Sequence, residues 1–171
     1  MTKHEIYKKL YQLAYEIGLD EPFGYKPKII SGFPGIGKTY FTEHNLLSES
    51  SDSDSSKFPK DNFPQNYIEH IKNLRKTTSI ILVSSHGAVR EALVSEGLKF
   101  VLCYPNKELK AEYLERYKQR GSNQSFINMM DKNWDSFIDQ CKNQKNCHHL
   151  VLNAGEFLDM PRVVMLPGGW G

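Results

Sequence analysis

The residues best suited to chemistry form one glycine-rich segment, which lies between a short apolar run and a stretch of helical pattern. Glycines let the backbone curl and turn its N–H groups toward one point, and a following helix adds unpaired N–H groups and the positive end of its dipole. Such a segment predicts a cradle for the phosphates of a nucleotide. It matches the pattern G-x-x-x-x-G-K-[ST], and its residues are Gly32, Phe33, Pro34, Gly35, Ile36, Gly37, Lys38 and Thr39.

Individual roles within this loop follow from side-chain chemistry. We expect Lys38 to reach the β- and γ-phosphates and the Thr39 hydroxyl to bind Mg²⁺. The alternative is a glycine-rich turn that merely joins a strand to a helix, and the hydrophobic strand before the loop disfavours it. The residues expected to contact ATP are Gly32, Pro34, Gly35, Ile36, Gly37, Lys38, Thr39 and Tyr40.

The phosphate loop alone does not identify the class of protein. A GTPase needs an Asn/Thr-Lys-x-Asp segment to read the base, and the sequence contains none. A motor-type ATPase usually ends a later strand with Asp or Asp-Glu, whereas the apolar run at 79–83 is followed by Ser84, Ser85 and His86. Both classes are therefore disfavoured.

With this loop and without those motifs, the chain resembles the small P-loop kinases, the group that contains nucleoside and nucleotide kinases. The resemblance covers about residues 28–158. It implies an ATP- and Mg²⁺-dependent phosphotransferase, with a nucleoside or nucleotide as the favoured small acceptor. Phosphoryl transfer needs mainly positioning and electrostatic stabilisation, so a few charged side chains around the loop are sufficient.

Two carboxylates follow the position of the expected second strand. In kinases of this kind an acidic residue there often contacts the acceptor, so the resemblance implies such a role for Asp54 and Asp52. A carboxylate at that point can accept the proton of the acceptor or hold Mg²⁺ through water. The alternative is a solvated acidic loop.

A second group, Ser84, His86 and Arg90, follows the apolar run at 79–83. The carboxyl ends of strands point into the ligand crevice of open α/β sheets, and residues four apart share one face of a helix. We therefore expect these residues to bind the acceptor, with the planar fork of Arg90 on a phosphate. Alternatively, Ser85 caps the helix and Arg90 lies on the surface.

A third group consists of Arg116 and Arg120, which are also four residues apart. The resemblance implies a mobile lid after the fourth strand, here at about residues 105–125, whose arginines stabilise charge on the moving phosphoryl group. Gly121 would let such a lid bend. The alternative is an ordinary charged helix in which Glu112 pairs with Arg116.

The elements that must position these groups alternate between strands and helices. Such alternation predicts an α/β fold, a three-layer αβα sandwich with a parallel sheet of about five strands, the phosphate loop after the first strand and a helical lid after the fourth. Strands are predicted at 28–31, 79–83, 100–104 and 149–152, with a further strand in the polar segment before residue 60. Helices are predicted at 3–18, 38–45, 66–75, 89–96 and 107–144, the last broken near Gly121.

Bulk properties favour one cytoplasmic domain. We expect a single domain over residues 1–171, with an N-terminal helix and connector at 1–27 and an irregular tail at 160–171. The net charge is +2, so a nucleic-acid partner is not favoured. Three cysteines without a Cys-x-x-Cys pair indicate a reducing compartment, and no apolar run is long enough for a membrane helix. The sequence predicts no particular oligomeric state.

Two other functions stay open at this point. One is a kinase that acts on a polynucleotide or a modified base, which would need a basic channel that the weak net charge disfavours. The other is a regulatory nucleotide-binding module without transfer activity. The missing acidic residue after the run at 79–83 keeps this second reading open.

Overall fold

The computed structural model describes residues 28–44 and 50–164, together with positions 9, 13, 16 and 17. The helix predicted at 3–18 therefore lies outside the described residues except at those four positions, where the Ile17 N–H donates to Leu13 O at 3.1 Å. The connector at 21–27 lies outside them entirely.

Five parallel strands form one sheet in the order β2-β3-β1-β4-β5, as the alternating sequence pattern predicts. The three central strands are buried along nearly their whole length, which explains why they read as continuous apolar runs. The strands are β1 Lys28–Gly32, β2 Ser50–Asp52, β3 Ile80–Ser84, β4 Val101–Pro105 and β5 His148–Leu152.

Helices flank the sheet and complete a three-layer αβα sandwich. The break predicted near Gly121 is present, since one helix ends at Gln119 and the next begins at Gln124. The helices are α1 Lys38–His44, α2 Gln65–Leu74, α3 Gly87–Ser95, α4 Lys110–Gln119, α5 Gln124–Asn143 and α6 Met160–Val164. Short 3₁₀ helices lie at Ser55–Lys57, Lys60–Asn62 and Lys107–Leu109.

The polar segment before residue 60 contains the expected extra strand. β2 pairs with β3 in parallel, and the Ser53 N–H continues the ladder by donating to Leu82 O at 2.9 Å. Because β2 lies at an edge of the sheet and is only half-buried, a polar sequence can occupy it. This pairing brings residues 52–54 to the end of the sheet at which the carboxyl ends of the parallel strands lie.

The core lies between the sheet and the apolar faces of the helices. On α2, Tyr67, Ile68 and Ile71 are fully buried, as their helical spacing predicts. Trp134 and Ile138 contribute the same kind of face from α5. Packing of these faces on the sheet fixes the positions of the helices.

The end of the chain is partly described. Residues 160–164 form a short helix within the tail predicted to be irregular, and residues 165–171 lie outside the described part. Within the described residues, no helix combines the length and the apolar character that crossing a bilayer requires.

Candidate nucleotide and acceptor site

The phosphate loop joins β1 to α1, the local setting that its sequence predicts. Gly35 and Gly37 adopt φ values of 89° and 97°, which side chains of other residues rarely allow. A Cβ atom on Gly32 would lie 2.6 Å from Ile36 Cδ1. The Phe33 N–H donates to Cys103 O of β4 at 2.9 Å and ties the loop to the sheet.

Lys38 folds back over its own loop. Its Nζ donates to Gly32 O at 2.8 Å and to Phe33 O at 3.4 Å. Burial lowers the pKa of Lys38 to about 8, although the negative charge of Asp52 opposes the shift. The ammonium group therefore lacks a full counter-charge, and the phosphates of a nucleotide would supply one.

Thr39 meets a carboxylate across the site, because its Oγ1 donates to Asp52 Oδ2 at 2.9 Å. Asp52 ends β2, and Ser84 stands at the corresponding end of β3. A hydroxyl and a carboxylate are the hard oxygen ligands that Mg²⁺ takes, usually with water and substrate phosphates completing the shell. These two residues fit Mg²⁺, and no group of three or more His, Cys, Asp or Glu elsewhere in the described residues could hold a metal.

Asp54 has a different setting from Asp52. Its Oδ1 accepts a 2.9 Å hydrogen bond from the Ser56 N–H and thereby caps the 3₁₀ helix Ser55–Lys57. Hydrogen bonds from Ser56 lower the pKa of Asp54, and the nearby Lys57 and Lys38 lower it further. The side chain is exposed and ionised, so a role toward an acceptor stays a prediction.

Tyr67 was not singled out as a functional residue by the sequence, yet it anchors the acidic segment. Its hydroxyl donates to Ser53 O at 2.5 Å and accepts from the Ser84 N–H at 3.2 Å. The ends of β2 and β3 are thus joined through one buried phenol, whose pKa is raised by burial. A tyrosine on an apolar helix face looks like ordinary packing, so no sequence signal separates this role from core formation.

Helix α4 also contacts the phosphate loop and holds it in place. Arg116 Nη1 donates to Gly35 O at 2.9 Å, and the Tyr117 hydroxyl donates to Pro34 O at 2.8 Å. A Cβ on Gly35 would lie 3.0 Å from the Tyr117 ring and 3.1 Å from the Tyr113 ring, so this glycine allows the close approach. The predicted lid is therefore packed on the loop.

The Arg116 guanidinium is largely occupied by the protein itself. Nη2 donates to Glu112 Oε2 at 2.8 Å and to Glu156 O at 3.0 Å, so the pair with Glu112 expected of a charged helix is present. The group lies between two rings, 4.3 Å from the Tyr113 centroid and 3.8 Å from the Phe157 centroid. This arrangement suits a residue that fixes the loop and the segment after β5.

Arg120 makes fewer hydrogen bonds through its guanidinium than Arg116 does, and this group lies 4.9 Å from the Tyr117 ring centroid. Its side chain is exposed, and Nε donates to Ser122 Oγ at 2.9 Å, while the other guanidinium nitrogens have no hydrogen bond within the described part of the chain. Its positive charge is one of the influences that lower the pKa of Lys38, and both residues line one cleft. The sequence pattern did not distinguish the two arginines, and the structure does.

This shared space is the first cleft, which has a volume of about 430 Å³. Its wall includes the second half of the phosphate loop and two exposed aromatic side chains, Tyr40 and Phe157, which offer a surface for a base or ribose. The other lining residues are Gly35, Gly37, Lys38, Thr39, Arg116, Gln119 and Arg120.

A second cleft of about 400 Å³ is lined by other residues of the same loop. Phe33 and Pro34 of the loop form one part of its wall, and an apolar stripe of α5 forms another. The carboxyl end of β3 and the start of α3 contribute all three residues that the sequence assigned to the acceptor, namely Ser84, His86 and Arg90.

Ser84 and His86 shape the turn from β3 into α3. The Ser84 hydroxyl accepts from the His86 N–H at 3.1 Å, and His86 Nδ1 accepts from the Ala88 N–H at 3.3 Å. The cap of α3 is therefore His86, not Ser85 as the alternative reading had it. With Nδ1 used as an acceptor, the neutral ring carries its proton on Nε2.

Arg90 is buried, which excludes the alternative that places it on the surface. Its Nε donates to Ser85 O at 2.9 Å, and Nη1 donates to Gln144 Oε1 at 2.5 Å and to Gln140 O at 3.4 Å. The guanidinium thus joins α3 to the end of α5 while lining the second cleft.

The chain matches no known protein-family model and no curated protein sequence. Its fold is similar to polyphosphate kinase 2 from Arthrobacter aurescens TC1, with a TM-score of 0.51, over 88% of this chain and 67% of that one. The sequence identity is 10%, so the likeness shows the fold alone. The architecture is a three-layer αβα sandwich around a parallel sheet, as the sequence predicts.

Proposed function

We propose that this protein is an ATP- and Mg²⁺-dependent phosphotransferase that acts on a small acceptor, a nucleoside or nucleotide. The observation that carries the proposal is the presence of two clefts that share the phosphate loop. A nucleotide-binding switch needs only the first cleft. A transferase needs a second substrate beside the phosphates, and the second cleft offers room for it.

On the donor side, the loop amides and Lys38 bind the phosphates, and Thr39 with Asp52 holds Mg²⁺. When bound, the metal ion would neutralise charge on the β- and γ-phosphate oxygens. In this proposal the carboxylate of Asp52, at the end of β2, takes the metal-binding role that an acidic residue after β3 has in an ATPase. The absence of an acid at Ser84 therefore does not argue against transfer.

On the acceptor side, Ser84, His86 and Arg90 orient the second substrate. Its oxygen forms a bond to the γ-phosphorus while the bond from that phosphorus to the ADP oxygen breaks, and ADP leaves with the electron pair. A hydroxyl acceptor then releases its proton to a carboxylate, for which Asp54 is exposed and ionised. Arg120 stabilises the charge that develops on the moving group.

The test is a transfer assay with two panels. The donors are ATP, GTP and inorganic polyphosphate, and the acceptors are nucleosides, nucleoside monophosphates and short oligonucleotides. We expect ADP formation that depends on both Mg²⁺ and a small acceptor. The control is Lys38→Met, which removes the cation from the loop and should abolish turnover while the fold stays intact.

Three other outcomes would contradict the proposal. Transfer to oligonucleotides alone would identify a polynucleotide kinase. Nucleotide binding with no transfer to any acceptor would identify a regulatory module. Wild-type turnover in a well-folded Lys38→Met protein would remove the phosphate loop from the reaction altogether.

A further inference from the structure

We infer that the second cleft selects an acceptor with an anionic group on a flat apolar body, so that a nucleoside monophosphate binds there and the matching nucleoside does not bind well. This inference rests on the proposed function, because it takes the second cleft as the acceptor site. Two observations on the lining of the cleft carry it: the surroundings of the Arg90 guanidinium and the composition of the α5 face.

Arg90 is a buried cation without a counter-ion in the described residues. It is only 6% exposed, and its three hydrogen bonds go to the neutral oxygens of Ser85, Gln140 and Gln144. Within residues 28–44 and 50–164, no Asp or Glu forms an ion pair with it. Burying a charge without an opposite charge costs free energy, and an anion bound in the cleft would offset that cost.

The guanidinium uses only two of its three nitrogens for hydrogen bonds within the described residues. Nε and Nη1 donate to the protein, whereas Nη2 donates to none of the described residues. A Cβ on Gly87, which also lines the cleft, would lie 3.6 Å from Nη2. Because Gly87 has no side chain, nothing from this position covers Nη2, and both residues line the second cleft as well as a neighbouring one.

Two further residues with donor groups, His86 and Ser85, line the same cleft. His86 Nδ1 accepts from the Ala88 N–H, so the ring presents Nε2–H as its donor, and this group has no hydrogen bond to the described residues. The Ser85 hydroxyl also lines the cleft. Together with Arg90 they form a donor set without an acidic group, which suits a phosphate or carboxylate.

The apolar part of the lining selects the rest of the ligand. On α5, Phe126, Met129 and Phe137 line the cleft, and Phe33 adds an aromatic ring from the phosphate loop. Aromatic and thioether side chains pack well on a flat ring. A small inorganic anion would leave this wall exposed to water, whereas a nucleobase would cover it.

Methionine methyl groups give a direct readout of this cleft, since Met129 and Met130 both line it and neither lines the first cleft. The protein is labelled with ¹³C at its methionine methyl groups. It is then titrated with adenosine, guanosine, cytidine, uridine and thymidine, each against its 5′-monophosphate. We expect at least one monophosphate to shift the Met129 and Met130 signals with a Kd roughly 10-fold or more below that of its nucleoside, as one charge-assisted hydrogen bond allows.

Two sets of variants test the cause. Arg90→Gln should reduce the preference for the monophosphate to near unity. Because that change also removes bonds within the protein, a second pair uses the half-exposed Met129. Met129→Glu should weaken the monophosphate more than the nucleoside, whereas the uncharged Met129→Gln should affect both alike, with Met130 as the reporter.

Each outcome decides the matter. Equal Kd values for nucleoside and monophosphate, or no shift at Met130 with any compound, would overturn the inference. If orthophosphate alone shifts the Met129 and Met130 signals with the same Kd as a monophosphate, the apolar lining does not contribute to binding, and that part of the inference is wrong. The proposed function is tested separately. Transfer to nucleosides without a preference for the monophosphate would support the phosphotransferase activity and contradict the inference. Monophosphate binding at Met130 without any transfer would support the inference and contradict the phosphotransferase activity.

Discussion

The Thr39 hydroxyl donates a 2.9 Å hydrogen bond to the Asp52 carboxylate and so connects the first turn of α1 to the end of β2. This contact places a carboxylate from an edge strand beside the phosphate loop. It supports the proposed assignment of Asp52 to the metal ion, whereas a role of Asp54 toward the acceptor stays a prediction.

The first prediction concerns the metal dependence of the Asp52→Asn variant. The amide keeps the size of the side chain and loses its charge, so the Mg²⁺ concentration for half-maximal turnover should rise by roughly 10- to 100-fold, as for other residues that support a metal. Initial rates over a Mg²⁺ titration measure this. Thr39→Ser, which keeps the hydroxyl, is the control and should stay close to wild type. An unchanged Mg²⁺ dependence in Asp52→Asn would remove this residue from the metal site.

The second prediction separates charge from structure at Asp54. Asparagine caps helices about as well as aspartate, so Asp54→Asn should keep the hydrogen bond to Ser56 and the melting temperature. If the carboxylate accepts the proton of the acceptor, turnover should fall by roughly 10²–10⁴-fold with little change in ATP affinity. Rates, ATP affinity and thermal melting together decide. A wild-type rate would reduce Asp54 to a helix cap in a solvated loop.

Local sequence was enough to predict the parts of this molecule that depend on near neighbours. The phosphate loop needs only its own glycines and the adjoining strand and helix, and the buried strands read as apolar runs because both faces are covered. The second strand was expected from the alternation of elements even though its residues are polar.

The partners of the candidate site residues could not be predicted, because they come from distant parts of the chain. Arg116 bonds to a carbonyl 81 residues away, and Arg90 bonds to side-chain and backbone oxygens 54 and 50 residues away. Nothing in the spacing of Arg116 and Arg120 distinguishes them. Their difference arises only when α4 packs on Gly35.

The third prediction is a pH dependence of ATP affinity. Burial lowers the pKa of Lys38 to about 8, Asp52 and Cys103 oppose that shift, and Arg120 adds to it. Phosphates bind the protonated lysine better, so affinity should be steady below about pH 8 and weaken as the pH rises through that value. Phosphate groups, with a second pKa of about 6, do not change charge in this window. Calorimetric titration between pH 7 and 9.5 measures it, and Lys38→Met should bind weakly with a flat profile. A flat profile in the wild type would contradict the assignment.

The fourth prediction distinguishes Arg116, which lies in α4, from Arg120, which lies at the C-terminal end of that helix. Arg120 is exposed and has guanidinium nitrogens without hydrogen-bond partners in the described residues, so its contact with the phosphoryl group should form mainly in the transition state. Arg120→Ala should therefore lower kcat by about 10²-fold, the effect of losing one preorganised donor, and leave the Kd for ATP nearly unchanged.

Arg116→Ala should behave differently, because that side chain holds Gly35 O and Glu156 O in place. Losing these bonds should cost about 1–3 kcal/mol of stability and loosen the phosphate loop, so the melting temperature falls and the Kd for ATP rises together. Arg116→Lys, which keeps the charge without the planar fork, should recover little of either. Measuring kcat, ATP affinity and melting temperature for all three variants gives two distinct signatures. If Arg120→Ala turns over like wild type while Arg116→Ala lowers only kcat, the roles of the two arginines are the reverse of those assigned here.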